Sequence, residues 1–319
     1  MLIVKRLFAL SLAVLLAPLA YAAEAVSPLV APTWLAENLE RQDLVVLDTR
    51  SGSGSEGSGL EVYQQGHIPS AIHSSYATGG WRTTVDGVIA KLPPVEQLTA
   101  LIGELGISNE DHVVIVYAGT DSTDFGSAAR VYWTFKVLGH DRVSILDGGQ
   151  GAWTAAGLPL STEAVQRAPR DFVANFRPQM VASTEQVATA LEQGVQLVDA
   201  RPHDQFLGRG KHPQARAAGT IPGALNLEEA QMVQANSSPV DRETVARLAH
   251  EAGLEAGQPA ITFCNTGHWA ATSWFMLSEI GGYEQVVMYD GSMVEWAADE
   301  QRPLQTERRG LGRLLQFFQ

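Results

Sequence analysis

The chain has 319 residues, with 22 lysines and arginines against 35 aspartates and glutamates, and a formal net charge of −13. So acidic a chain argues against nucleic acids and anionic membranes as partners, because both favour basic patches. The hydrophobic share of 45% and the charged share of 18% are ordinary for a globular protein, and the length exceeds that of one typical core. Two domains are therefore predicted.

The first 22 residues have the pattern of a secretory signal. Lys5 and Arg6 precede an apolar run over residues 7–17, and Ala20-Tyr21-Ala22 predicts cleavage after Ala22. A membrane-spanning helix needs nearly twice that apolar length, so an uncleaved anchor is the less favoured alternative. Cleavage would leave 20 of the 22 basic residues against 35 acidic ones, a net charge of about −15. We expect a protein exported to a bacterial periplasm.

Three short motifs occur twice, in the same order along the chain. They are Asp-x-Arg after an apolar run (48–50 and 199–201), Gly-x-Ile-Pro (66–69 and 219–222), and Asp-Gly followed by a tryptophan (147–153 and 290–296). One matching tripeptide would mean little, but three in register indicate an internal duplication.

Each copy alternates short apolar runs with helical stretches. Strands are predicted at residues 44–47, 113–117 and 143–146, and again at 195–198, 260–263 and 285–288; helices are predicted at 127–138 and 270–280. This rhythm predicts an α/β fold in which each domain is a mostly parallel sheet with helices on both faces. The predicted segments are a first domain (23–160), a linker (161–178), a second domain (179–305) and a tail (306–319).

Two segments stand apart from this pattern. Residues 51–59 are rich in serine and glycine and predict a flexible surface loop within the first domain. The tail is basic and then apolar, which favours docking on the protein over contact with a membrane.

Cys264 is the only cysteine in the chain, so it cannot belong to an internal disulfide. It follows a predicted strand and precedes a predicted helix, where the backbone N–H groups of residues 265–270 could curl around its sulfur. Such donors and the helix dipole stabilise a thiolate or persulfide anion, and Gly267 permits the tight curvature. This context favours a reactive nucleophile over the alternative, an inert cysteine in the core.

With these motifs, the chain resembles the rhodanese sulfurtransferase family in its tandem two-domain form. The resemblance rests on the two Asp-x-Arg motifs, the Gly-His-Ile-Pro-x-Ala turn at 66–71, the strand ending at Cys264, and Asp290-Gly291-Ser292 with Glu295-Trp296. It implies a first domain without catalysis and a second domain whose loop cysteine carries a persulfide. Aligning residues 114–117 with 260–263 places Ala118 opposite Cys264, so the first domain has no nucleophile there.

The resemblance also implies which group the loop cysteine receives. In the family, a loop of six residues counted from the cysteine is typical of sulfur transfer, whereas phosphate-cleaving relatives have one more residue and an arginine at the end of the loop. The loop here, residues 264–269, is of the shorter type and lacks that arginine. The candidate substrate-binding residues of the loop are Asn265, Thr266, Gly267, His268 and Trp269. Asn265-Thr266 matches neither the charged loop of thiosulfate-specific members nor the Gly-Ser of mercaptopyruvate members. His268 either donates to the substrate or orients the backbone, and Trp269 more often packs between domains.

A cation is expected to bind the anionic donor. The family's substrate-binding arginine is replaced by Gln205, but three basic residues follow before the turn at Gly219. These are Arg209, Lys211 and Arg216. They predict an anion-capturing segment, with an ordinary solvated loop as the alternative. Arg201, in the second Asp-x-Arg motif, is assigned a supporting role as an ion pair or loop brace.

The predicted function is a sulfurtransferase that works by double displacement through a Cys264 persulfide. The donor is a small anion such as thiosulfate, with 3-mercaptopyruvate as a second candidate. The acceptor is cyanide or a thiol, and a periplasmic protein acceptor fits as well. No cofactor beyond the persulfide is expected, the eight histidines show no metal-ligand spacing, and a monomer is expected. The alternative is a non-catalytic persulfide carrier that serves a partner protein.

Overall fold

The structure is a computed structural model that describes residues 26–52 and 57–307. The predicted signal segment, part of the serine- and glycine-rich loop and residues 308–319 of the tail lie outside these ranges. Among the described residues, no helix combines the length and apolarity that crossing a membrane requires.

The first domain alternates strands and helices along the chain. Its strands are Leu29–Val30 (β1), Leu44–Asp48 (β2), Ile72–His73 (β3), Thr83–Val85 (β4), Val88–Lys91 (β5), His112–Val116 (β6) and Val143–Leu146 (β7). Its helices are Pro32–Asn38 (α1), Gly59–Gln65 (α2), Val95–Glu104 (α3), Ser122–Val137 (α4) and Gly149–Ala155 (α5).

The second domain repeats this order with fewer strands. Its strands are Gln196–Asp199 (β8), Leu225–Asn226 (β9), Ala260–Phe263 (β10) and Val286–Met288 (β11). Its helices are Thr184–Gln193 (α6), His203–Phe206 (α7), Arg242–Glu251 (α8), His268–Phe275 (α9) and Ser292–Trp296 (α10). Short 3-10 turns occupy Pro178–Met180 and Glu229–Met232, and a π-helical turn, Met276–Ile280, follows α9.

The prediction of two parallel-sheet domains is confirmed. The first sheet has the order β1-β7-β6-β2-β3 and the second β11-β10-β8-β9, with every pairing in them parallel. Strands β4 and β5 form a separate antiparallel hairpin in the first domain. In both sheets, the central strands end at the edge where the site lies.

Alternating residues of the strands face two different cores. In β2, Val45 and Leu47 belong to one core, and Leu44 and Val46 to another. Helices therefore cover both faces of the first sheet, as the buried alternation requires. The first of these cores continues into the second domain through α4 and α9, where Phe125 and Phe275 meet edge to face at 5.6 Å between ring centroids.

The repeated sequence motifs share one local structure. Arg50 donates from Nη2 to Asp48 and to the carbonyl of Gly66, and Arg201 donates from Nη2 to Asp199 and to the carbonyl of Gly219. Asp-x-Arg thus ties the end of a strand to the glycine that opens the Gly-x-Ile-Pro turn. Both ion pairs are buried, so each carboxylate holds its guanidinium with little screening.

Several predicted boundaries differ from the structure by a few residues. The strand predicted at 113–117 is His112–Val116, and the one predicted at 195–198 is Gln196–Asp199. Helix α4 begins at Ser122 rather than at residue 127, because the Asp121 side chain caps it. The predicted linker, 161–178, contains no helix or strand before Pro178 and packs Phe172 into the core of the first domain.

Candidate active site

Cys264 lies between the end of β10 and the start of α9, and only 1% of it is exposed. Helix α9 begins at His268 rather than at the predicted residue 270, so the last two residues of the predicted loop form its first turn. Gly267 ends the loop with a φ of 74°, in the left-handed region that favours glycine. A Cβ atom there would also lie 2.3 Å from Nη1 of Arg130, so the position requires glycine.

The hydroxyl of Ser292 fastens the two ends of the loop. Its Oγ accepts hydrogen bonds from the N–H of Cys264 at 3.0 Å and of Gly267 at 3.1 Å, and donates to the carbonyl of Tyr289 at 2.9 Å. The expectation that every N–H from 265 to 270 surrounds the sulfur is therefore wrong for Gly267. Ser292 itself has a φ of 49°, a strained conformation for a residue other than glycine.

Other backbone donors around Cys264 remain unused. The N–H groups of residues 265–270, apart from Gly267, have no hydrogen-bond acceptor among the residues that the structure describes. They belong to the loop and to the first turn of α9, where the positive end of the helix dipole adds to them. The loop is therefore suited to hold a negatively charged sulfur.

The side chains of Asn265 and Thr266 differ in their surroundings. Asn265 is buried, and its Nδ2 donates to Oε1 of Gln205 at 2.9 Å, while its Oδ1 has no partner among the described residues. Gln205, which replaces the expected arginine, thus lies against the loop and supplies no charge. Thr266 is only partly buried and is the more accessible of the two.

The first domain clamps the loop through Arg130 of α4. Its Nη1 donates to the carbonyl of Gly267 at 3.0 Å, and its Nη2 makes a short hydrogen bond to Oδ1 of Asp290. Arg130 is fully buried, and its guanidinium lies 4.8 Å from the ring of Trp133. Oδ2 of Asp290 accepts the N–H of Leu92 at 2.6 Å, so the buried carboxylate is held from both sides.

His268 and Trp269 reach across to the first domain. Nε2 of His268 lies 2.8 Å from the carbonyl of Thr123, which can only accept, so Nδ1 accepts from the Tyr76 hydroxyl at 2.7 Å. Burial lowers the pKa of His268 to about 4 and raises that of Tyr76 to about 12, so both are neutral at pH 7. Nε1 of Trp269 donates to Oγ1 of Thr123 at 3.1 Å. This arrangement favours the orienting alternative for His268 and an interdomain contact for Trp269.

The segment expected to capture anions has its charges compensated. Arg209 pairs with Asp204 and Glu307, and Arg216 makes a short ion pair with Glu300. Lys211 donates to the carbonyl of Ala215 at 2.6 Å. Arg201 is held by Asp199 and Gly219, the brace described above. Among the described residues, none of these four cations makes a hydrogen bond or ion pair with the Cys264 loop, which favours the solvated-loop alternative for residues 209–216.

The register of the sheets corrects the alignment between the two domains. Asp48 pairs with Val116, and the equivalent Asp199 pairs with Phe263. Tyr117, rather than Ala118, is therefore the counterpart of Cys264. The sequence alignment slipped by one residue because the apolar run of the first domain continues into Tyr117, beyond the strand. The Tyr117 hydroxyl donates to the carbonyl of Ser237 at 2.6 Å, and burial raises its pKa well above the ordinary value.

Three side chains of the site were not predicted from the sequence: Tyr76, Arg130 and the Ser292 hydroxyl as an acceptor. Ser292 lies in a motif that was noted for its repetition and for the family resemblance, neither of which indicates a hydrogen bond to the loop. Tyr76 and Arg130 lie in the first domain and carry no motif, and their partners are 192 and 137 residues away. Among the described residues, no group of three histidine, cysteine, aspartate or glutamate side chains is placed to hold a metal ion.

The fold and the site together define a two-domain α/β protein with one loop cysteine in its second domain. A family model described as the rhodanese-like domain matches residues 31–156 and 183–299. The chain therefore belongs to the rhodanese family, as a tandem sulfurtransferase.

Similar proteins support the same placement. A Mycobacterium tuberculosis protein with the provisional name thiosulfate sulfurtransferase is 30% identical over 277 residues, covering 85% of this chain and 94% of the relative. Thiosulfate/3-mercaptopyruvate sulfurtransferase 1, mitochondrial, of Arabidopsis thaliana is 29% identical over 303 residues, covering 88% and 78%. The structure of SseA from Escherichia coli, described as a 3-mercaptopyruvate sulfotransferase, superimposes with a TM-score of 0.73 at 26% identity, covering 84% of this chain and 99% of SseA.

Proposed function

We propose that Cys264 is the nucleophile that carries sulfur from a small anionic donor to an acceptor. The observation that supports this most directly is the single cysteine at a strand-to-helix loop with unused N–H donors around it. Thiosulfate is the first candidate donor and 3-mercaptopyruvate the second, since relatives are named for both. The acceptor is cyanide or a thiol, including a thiol of a periplasmic protein.

With thiosulfate, the reaction needs two displacements and no cofactor. The Cys264 thiolate attacks the outer sulfur of the donor, so that a new S–S bond forms and sulfite leaves with the electron pair of the broken S–S bond. Cyanide or a thiolate then attacks the terminal sulfur of the persulfide. Thiocyanate or a new persulfide leaves, and the thiolate is regenerated. The unused N–H groups of the loop stabilise the negative charge on sulfur between the two steps.

Incubation with thiosulfate, followed by intact-mass spectrometry, tests this proposal. We expect the mass of one added sulfur, with loss of both the adduct and turnover to cyanide in Cys264→Ser. Tyr117→Phe, which alters the equivalent position of the first domain, is the matched control and keeps the adduct. Persulfide without turnover toward cyanide or thiols would instead favour the carrier alternative. Normal turnover in Cys264→Ser would overturn the mechanism.

We also propose that the protein works in the periplasm. The proposal rests on the signal-like pattern of residues 1–22, which lie outside the described part of the chain. The same mass spectrum, taken on protein released from the periplasm, tests cleavage after Ala22. A mass that includes residues 1–22 would contradict it.

A further inference from the structure

The anionic donor needs a cation near Cys264, because the chain as a whole is negative. The two buried arginines next to the loop and its strand already have carboxylate partners. Arg130 is paired with Asp290, and Arg201 with Asp199. Gln205 supplies no charge in the place where the family resemblance expects an arginine. The cation must therefore come from elsewhere on the surface around the loop.

Arg82, in the first domain, is a cation with no such partner. Its Nε is buried and has no hydrogen-bond partner, and no carboxylate pairs with its guanidinium among the described residues. Most other described arginines and lysines form an ion pair. A partly buried guanidinium that lacks an anionic partner is costly unless a ligand supplies the charge.

The side chain of Arg82 is held in place rather than free in solvent. Its guanidinium carbon lies 4.2 Å from the centroid of the Tyr76 ring, a cation–π contact. The preceding residue, Trp81, is fully buried, and its Nε1 donates to Oγ of Ser74 at 3.0 Å. Stacking on one face and an anchored backbone leave the edge of the guanidinium with its N–H donors for an oxyanion.

Tyr76 connects Arg82 with the Cys264 loop. The Tyr76 hydroxyl lies 2.7 Å from Nδ1 of His268, which opens the helix after the loop. Burial is the largest cause of the raised pKa of Tyr76, and charge on Cys264 raises it further, while Arg82 and Arg130 lower it. Burial likewise dominates the lowered pKa of His268, with a further contribution from Arg82. Tyr76 therefore contacts both Arg82 and the residue that opens the helix after the Cys264 loop.

We propose that Arg82 binds the oxyanion group of the sulfur donor and is a substrate-binding residue supplied by the first domain. The proposal rests on the proposed function, because it assumes a donor with a sulfonate-like or carboxylate group next to the transferred sulfur. A guanidinium binds such groups through two parallel N–H···O bonds. The first domain, which has no nucleophile at the equivalent loop, thereby contributes the charge that the second domain lacks at Gln205.

Steady-state kinetics of Arg82→Gln with thiosulfate test this assignment. We expect KM to rise about tenfold or more, because a charge-assisted pair is lost, with partial recovery in Arg82→Lys. Transfer from preformed Cys264 persulfide to cyanide should keep its rate, since that step no longer involves the donor anion. The KM of the parent should rise with salt more than that of Arg82→Gln. A purely structural role would instead lower the melting temperature and the transfer rate.

Two further variants complete the test. Arg247→Gln removes an exposed cation paired with Glu251 on α8 and is the control for net charge. Combined glutamine replacement of Arg209, Lys211 and Arg216 tests the competing site, and we expect neither variant to change KM. An unchanged KM in Arg82→Gln, in a protein that still forms the Cys264 persulfide, would overturn the assignment alone. Failure of the parent to form any persulfide would instead overturn the proposed function.

Discussion

The two loops that follow the central strands of the two domains differ in what occupies them. In the first domain, the carboxylate of Asp124 accepts the N–H groups of Ala118, Gly119 and Thr120, at 3.4, 2.7 and 3.1 Å. Burial raises the pKa of Asp124, and these N–H donors oppose that effect. In the second domain, the corresponding donors are the N–H groups of Asn265, Thr266 and Gly267. Gly267 donates to Ser292, and the other two have no acceptor among the described residues. The first loop thus binds a carboxylate of its own domain, whereas the second loop leaves two of these three donors for an anionic sulfur.

A second difference accompanies the first. Gly149 and Ser292 occupy equivalent places after Asp-Gly, both with positive φ values of 58° and 49°. Only Ser292 has a hydroxyl that can bind loop N–H groups. In the second domain, Ser292 and Arg130 bind the ends of the loop and leave the space beside Cys264 open. In the first domain, the carboxylate of Asp124 fills the equivalent space. External supports keep the loop fixed while its interior stays available for chemistry.

The largest expected effect comes from removing the external clamp on the second loop. Arg130→Gln leaves Asp290 as a buried carboxylate without its cation, which should lower the free energy of unfolding by about 3–5 kcal/mol. Urea denaturation measures it. The control is Arg142→Gln, which breaks a partly exposed pair with Asp43 and should cost about 1 kcal/mol or less. Equal midpoints for the two variants would show that the clamp does not support the interface.

Ser292→Ala should destabilise the protein less than Arg130→Gln does, and its main effect should be on turnover. It frees the N–H groups of Cys264 and Gly267, so the loop loses its fixed curvature, and we expect turnover to fall about tenfold. Ser273→Ala removes a buried hydroxyl with no partner among the described residues and serves as control.

In the first domain, we expect the equivalent change to affect stability rather than catalysis. Asp124→Ala should lower the melting temperature and leave turnover per folded molecule unchanged, because its loop holds no substrate. If Asp124→Ala lost turnover and Ser292→Ala kept it, the roles assigned to the two loops would be wrong.

The parts of the fold that the sequence predicted are those encoded locally. Apolar runs gave the central strands to within a residue, and the duplicated motifs gave the two domains, because each depends on residues close together in the chain. The alignment slip at Tyr117 shows the limit. An apolar run does not mark where a strand ends, and only pairing with Asp48 in the neighbouring strand settles it.

The contacts that depend on docking of the two domains could not be predicted. Arg130 and Tyr76 contact residues of the loop and of the helix turn after it, more than 130 residues further along the chain, and no spacing rule connects residues across an interface. The acidic partners of Arg209 and Arg216 could not be predicted from the sequence either. The basic segment looked like a cation site because a sequence shows charges without showing their ion pairs.

The interface between the two domains contains two equivalent contacts that differ in their chemistry. Tyr76 and Glu229 are equivalent, since the N–H of each donates at 3.0 Å to the residue after the strand aspartate, Thr49 or Ala200. Tyr76 crosses to His268, and Glu229 crosses to the Ser122 hydroxyl, at 3.1 Å from Oε1. The first contact is between two neutral groups at pH 7. The second contains a carboxylic acid, so only this side of the interface should respond to pH near neutrality.

Burial is the main reason that the pKa of Glu229 rises from 4.5 to about 7, with smaller increases from Glu228 and Asp121 and an opposing effect of Ser122. The folded protein therefore keeps a proton that the unfolded chain loses above pH 4.5, so stability falls as pH rises from about 4.5 through 7 and levels off above that. Between pH 6 and pH 8 the decline should amount to about 1 kcal/mol.

Glu229→Gln should remove this decline, because the amide does not ionise. Urea midpoints of the parent and the variant at pH 6 and pH 8 measure it, and the variant should gain relative to the parent at the higher pH. His268 provides an internal control: its lowered pKa of about 4 means that its contribution to stability is complete above about pH 6.5 and is lost as pH falls toward 4, in both proteins. Parallel pH profiles over the range from 6 to 8 would show that the Glu229 carboxyl is already ionised in the folded interface.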